Sequence, residues 1–86
     1  MYAVIWYNLA LDQLADVLVG LDLNDQDTFA TAVEELNRRL ADDPLDVGES
    51  RSGTTRVTFV PFASIQFRVR EAEQLVRVTR VVRYGW

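Results

Sequence analysis

The apolar positions of this chain change period along its length, and the changes divide it into elements. Residues 2–7, Tyr-Ala-Val-Ile-Trp-Tyr, form one short apolar and aromatic run, which predicts a buried strand. Leu11, Leu14, Ala15, Leu18 and Val19 then recur at helical spacing, with Asp12, Gln13 and Asp16 elsewhere on the wheel. Asn8 is placed to cap that helix ahead of Leu9, and Gly20 loosens its end. Asn24 or Asp25 can begin a second helix, whose stripe is Phe29, Ala32, Val33, Leu36 and Leu40. Arg38 and Arg39 stand in its last turns, where the helix dipole favours cations. Pro44 stops it near Ala41, because Asp43, preceding a proline, is driven out of the helical region.

Residues 44–53 hold Gly48 and Gly53 without a sustained period and read as loop. Beyond them the period becomes two. Residues 54–60 set Val57 and Phe59 against Arg56 and Thr58, and Pro61 marks a turn. Residues 62–70 place Ile65, Phe67 and Val69 inward and Ser64, Gln66, Arg68 and Arg70 outward. Residues 71–74 link this strand to a last one over 75–83. There the inward set Val76 and Val78 switches to Val81, which requires a bulge near Thr79.

The order is strand, helix, helix, strand, strand, strand, within one domain spanning residues 1–86. Three closely linked strands make an antiparallel meander, which the first strand joins while the helical hairpin covers one face. The fold class is α+β. The other face is left open, carrying many of the arginines.

Composition removes several chemistries. The 86 residues include no Cys and no His, so disulfides, thiolate catalysis and the usual zinc sites are excluded. General-base chemistry loses the side chain whose unperturbed pKa lies near neutrality. The net charge of −4 hides a division. Residues 1–49 carry eleven acids against Arg38 and Arg39, whereas residues 50–86 carry seven arginines against Glu71 and Glu73. Asymmetry of this kind points to a charged partner surface; solvated strand faces balancing acidic helices are the alternative. Acid pairs such as Asp12/Asp16 and Asp42/Asp43 fall on helix faces or ends and read as solvated, so no metal or other cofactor is expected. No targeting or membrane-spanning segment is legible, which predicts a cytoplasmic protein.

In this order the segments DDPLDVGESR, TRVTFVPFASIQFRV and QLVRVTRVVRYG resemble the RelE/ParE toxin superfamily over nearly the whole chain. The resemblance implies a β-α-α-β-β-β fold with a helical hairpin on an antiparallel sheet. It also implies a type II toxin-antitoxin function of the plasmid-stabilisation kind, with a cognate antitoxin as partner. RelE-like members cut messenger RNA on the ribosome, whereas ParE-like members poison DNA gyrase.

Carried onto this sequence, the resemblance makes Arg51, Arg56, Arg68, Arg77, Arg80, Arg83 and Trp86 candidates for substrate or partner contacts. Cleavage through the 2′-OH needs a proton acceptor and a proton donor, for which Glu49 and Tyr84 are the candidates. One branch of the family ends in Arg-Tyr-His-Tyr, and the matching residues here are Arg83, Tyr84, Gly85 and Trp86. Gly85 moves no proton, and Trp86 stacks without offering a hydroxyl. Ser64 stands where that branch opens its third strand with a basic residue. Affinity for RNA comes largely from phosphate neutralisation, so a pI near 4.6 favours the binder over the nuclease. The alternative from another class is a non-catalytic interaction module whose sheet binds a second protein.

Overall fold

In the computed structural model, which describes residues 1–84, five strands form one sheet in the order β1-β5-β4-β3-β2. The elements are β1 (Ala3–Trp6), α1 (Asn8–Val19), α2 (Leu23–Asp42), a 3₁₀ turn (Pro44–Asp46), β2 (Glu49–Ser52), β3 (Thr55–Val60), β4 (Ala63–Arg70) and β5 (Leu75–Arg83). Neighbouring strands run antiparallel except β1, which lies parallel to β5 from Ala3 opposite Leu75 to Trp6 opposite Val78. The class is α+β, with the expected meander as β3, β4 and β5.

Four local expectations are corrected. β1 is a half-exposed edge strand rather than a buried one, because a single neighbour pairs with it and only alternate side chains reach the core. Asn8 is the first helical residue of α1, and the cap position falls to Tyr7, which offers no side-chain bond. α2 begins earlier than Asn24, because the Asp22 carboxylate accepts the Asp25 N–H at 2.9 Å and satisfies a donor of the first turn. Residues 44–53 are not simply loop, since Glu49–Ser52 pairs with β3 as a short, fully exposed edge strand.

α1 is also turned relative to its apolar pattern. Ala10 and Val17 are buried, with Leu14 and Leu18 packed beside them, whereas Leu11, Ala15 and Val19 face outward. Val19 is 83% exposed. Apolar residues occupy more than one face of α1, and packing on β5 selects which of them go inward. In α2 the expected Phe29, Val33, Leu36 and Leu40 are all buried.

The core lies between the helices and the sheet. Phe29 and Leu40 from α2 meet Ile65 and Phe67 from β4 and Val76, Val78 and Val81 from β5. Burial of side chains of this size stabilises by roughly 1.5–3 kcal/mol each. Trp6 ties β1 to α2, its indole Nε1–H donating to Asn37 Oδ1 at 2.9 Å. The register between β4 and β5 shifts between Gln66 and Phe67, whose partners are Arg80 and Val78. Thr79 is therefore the extra residue, and the bulge returns Val81 to the core side as expected. The β3–β4 turn places Phe62 at φ 75°, in the left-handed region, which costs about 1 kcal/mol for a side chain this large. Its ring packs on the core and its carbonyl accepts the Tyr84 N–H at 3.1 Å, which together hold the conformation.

Candidate functional site

Register assigns each candidate side chain to a face. Ala63, Ile65, Phe67 and Val69 of β4 point to the helices, so residues opposite them share that side. Arg56 pairs with Phe67 and Arg83 pairs with Ala63, which puts both on the helix side of the sheet. Val57 and Phe59, set against Arg56 and Thr58 by the alternation, are opposite Gln66 and Ser64 on the open face, where Val57 is buried and Phe59 exposed. In β3 the more apolar parity, Val57 and Phe59, faces away from the helices, whereas Arg56, Thr58 and Val60 face them.

The open face therefore consists of three rows across the strands. Ile5, Arg77, Arg68 and Thr55 form one, with Arg77 and Arg68 directly opposite each other. Arg80, Gln66, Val57 and Glu49 form the next. Val82, Ser64 and Phe59 form the last, at the turn end of β3 and β4. Like charges held opposite on adjacent strands repel, and such a pair is stabilised when an anion bridges it. Arg68, Arg77 and Arg80 make no ion pair with an acid among the described residues; the ion pair present is Arg70 with Glu73 at 2.9 Å.

The remaining candidates are placed differently. The Arg56 guanidinium is tied to the chain, with Nε donating to the Val47 carbonyl at 3.0 Å and Nη2 to the Gly48 carbonyl at 3.1 Å. These bonds fix the approach to β2. Gly48 turns at φ 66° with its α-carbon against the Val57 carbonyl, where no side chain fits. Arg51 falls in the β2 irregularity between Ser50 and Ser52 and is exposed. The Nε and Nη1 atoms of Arg83 are shielded from solvent. Glu49 is exposed, opposite Val57 and two residues along from Phe59. Tyr84 donates its hydroxyl to the Val60 carbonyl at 2.5 Å, and its ring stands edge-on to Phe59 with centroids 6.0 Å apart. Trp86 lies outside the described residues.

The structure thus brings Arg68, Arg77 and Arg80 together with Glu49 on one face and separates Arg56 and Arg83 from them. Two contributors were missed by sequence reasoning. Phe59, 62% exposed, and Val82 add an apolar end to the arginine face, joined by Tyr84. The available signal was the bulge near Thr79, which turns Val82 outward once Val81 is inward. Among the described residues no helix is long and apolar enough to cross a membrane. Nor do three or more acidic side chains gather there as a metal would require.

No protein-family profile and no curated protein sequence matches this chain. Solved structures do match. A chain of the chromosomal ParDE toxin-antitoxin system of P. aeruginosa superposes with a TM-score of 0.74 at 17% identity, covering 99% of this chain and 98% of that one. A chain of a RelBE-type toxin-antitoxin complex from Mycobacterium tuberculosis gives 0.69 at 21% identity, covering 96% and 91%. A chain of the intact E. coli RelBE toxin-antitoxin complex gives 0.68 at 12% identity, with all of both chains covered. From β1 to β5, the described residues share the fold of these ParDE and RelBE toxin-antitoxin chains.

Proposed function

We propose that this chain is the toxin of a type II toxin-antitoxin pair, held inactive by a co-encoded antitoxin protein. We further propose that it arrests growth by binding its target through the open arginine face, with DNA gyrase as the target class, rather than by cutting messenger RNA. The observation that carries the choice is the commitment of two candidate side chains to the fold. The Tyr84 hydroxyl donates to the Val60 carbonyl, and the Arg56 guanidinium donates to Val47 and Gly48. Glu49 is left exposed, without a described acid-base partner, and RNA cleavage needs both an acceptor and a donor. Arg68, Arg77 and Arg80 beside Phe59 and Val82 suit a protein surface that presents carboxylates around apolar side chains. The acidic total charge slows the approach of a polyanion such as ribosomal RNA.

The test is induced expression of the chain beside an Arg68→Glu/Arg77→Glu variant, with messenger cleavage mapped in the cells and gyrase supercoiling assayed with purified protein. Arrest and gyrase inhibition by the wild type alone, without messenger cleavage, is the expected result. Messenger cleavage that accompanies arrest would transfer the protein to the nuclease class. Soluble expression without arrest would leave a non-catalytic interaction module.

A further inference from the structure

Past Val78, one edge of β5 has no strand beside it among the described residues. β1 ends at Trp6 opposite Val78, and the Tyr7 N–H donates to the Val78 carbonyl at 2.9 Å, whereas β5 continues to Arg83. α1 passes along this bare stretch. Gln13 Oε1 accepts the Val81 N–H at 2.7 Å. A side-chain amide oxygen therefore stands where the main-chain carbonyl of a neighbouring strand would. Between helix and strand is a cleft of about 350 Å³, bordered by Gln13, Asp16 and Val17 on one side and Arg80, Val81 and Val82 on the other.

We infer that this cleft receives an extended acidic segment of a partner protein, which adds to β5 as a sixth strand by displacing Gln13 from the Val81 N–H. Main-chain pairing at an unpaired edge supplies affinity, and side chains that alternate across the new strand supply selectivity. On the open-face side the incoming residues meet the Arg80 guanidinium, which is exposed and makes no ion pair with a described acid. A carboxylate satisfies it with charge-assisted bonds. On the helix side the intervening residues enter the cleft against Val17 and Val81, both buried, where a small apolar side chain fits. Asp16 and Arg83 border that side with opposite charges, so neither an acid nor a base is favoured there over an uncharged side chain. The segment is thereby directed to an alternation of acid and small apolar residues in a fixed register. A second copy of this chain is a poor occupant, because pairing edge to edge crowds two Arg80 side chains onto one short ladder.

From the proposed function this takes only the existence of a protein partner, and its test has a separate readout. The full chain, ¹⁵N-labelled, is titrated with acetyl-Glu-Val-Glu-Val-Glu-amide and with the peptide carrying Lys in place of each Glu. The acidic peptide should shift the backbone amides of residues 80–83 and the side-chain amide of Gln13, in a saturable way. Gln13→Ala removes the competing acceptor, so the variant should bind the acidic peptide about fivefold tighter. Gln13→Glu keeps an acceptor on the Val81 N–H and adds repulsion, so it should bind more weakly than the wild type. Arg80→Glu should weaken the acidic peptide by about tenfold or more and favour the Lys peptide. Shifts centred on Arg68 and Arg77, no saturable shift at residues 80–83, or weaker binding by Gln13→Ala would each overturn the inference. So would a dimer formed through residues 80–83. Peptide binding without growth arrest leaves the edge site standing and removes the toxin reading, and arrest without peptide binding does the reverse.

Discussion

Tyr84 and Phe59 meet edge to face, with ring centroids 6.0 Å apart and planes inclined at 72°, while the Tyr84 hydroxyl donates to the carbonyl of Val60. The residue after β5 is thereby fastened across the sheet to β3. A hydroxyl held by a main-chain carbonyl acts as part of the fold, and its removal leaves that acceptor to water. Tyr84→Phe should destabilise the protein by about 1 kcal/mol and leave growth arrest intact. Tyr84→Ala, which also loses the ring contact, should cost roughly 2 kcal/mol. Urea denaturation gives the stabilities. A Phe variant that folds normally yet no longer arrests growth would return the hydroxyl to catalysis.

The two glycines of residues 44–53 separate two effects of substitution. Both have positive φ, 66° at Gly48 and 56° at Gly53. A Cβ at Gly53 meets open space, whereas one at Gly48 collides with the Val57 main chain. Gly53→Ala should therefore cost about 1 kcal/mol, the conformational term alone. Gly48→Ala should cost roughly 3 kcal/mol or more, because backbone must move. Equal thermal-melting shifts for the two variants would contradict the close approach of Gly48 to β3.

Arg56 carries a related prediction. Its guanidinium closes the segment between the 3₁₀ turn and β2 through the Val47 and Gly48 carbonyls. Arg56→Ala should destabilise by roughly 1–2 kcal/mol, discounted for the exposure of one of the two bonds. Amide exchange should rise chiefly in Glu49–Ser52, since β2 is a short edge strand with little else to hold it. Faster exchange spread evenly through the sheet would show that the contact is not local.

The orientation of α1 is testable by polar substitution. Leu11→Gln and Val19→Gln should change stability by no more than about 0.5 kcal/mol, because both side chains already face water. Val17→Ala should cost about 1–2 kcal/mol and Phe67→Ala roughly 3–5 kcal/mol, since each opens a cavity in the core. Chemical denaturation of the four variants ranks them, and a costly Val19→Gln would reverse the orientation of the helix.

How far the sequence reached depends on whether one local pattern had a single solution. α2 did: Phe29, Val33, Leu36 and Leu40 recur every three or four positions with polar or small residues between them, so one face alone can be buried. β4 did as well, since Ile65, Phe67 and Val69 alternate with Gln66, Arg68 and Arg70. The bulge at Thr79 was legible because Val78 and Val81 cannot share a face without an extra residue. These elements sufficed for the class and for the helical layer over a meander.

Tertiary structure decided the rest, wherever local patterns had two solutions of similar energy. β3 offers Val57 and Phe59 on one parity and Val60 on the other, and only pairing with β4 fixes which parity meets the helices. That choice turned Arg56 to the helix side, where it bonds to the Val47 carbonyl, and brought Phe59 to the open face. β2 has no apolar period, because an exposed edge strand is held by main-chain bonds that leave no trace in side-chain type. The bare edge of β5 likewise arises from a length difference between β1 and β5, two strands far apart in the chain. Side-chain type records how a residue is buried. Which strand ends beside which is set by pairing over long range, and that is what placed the arginines.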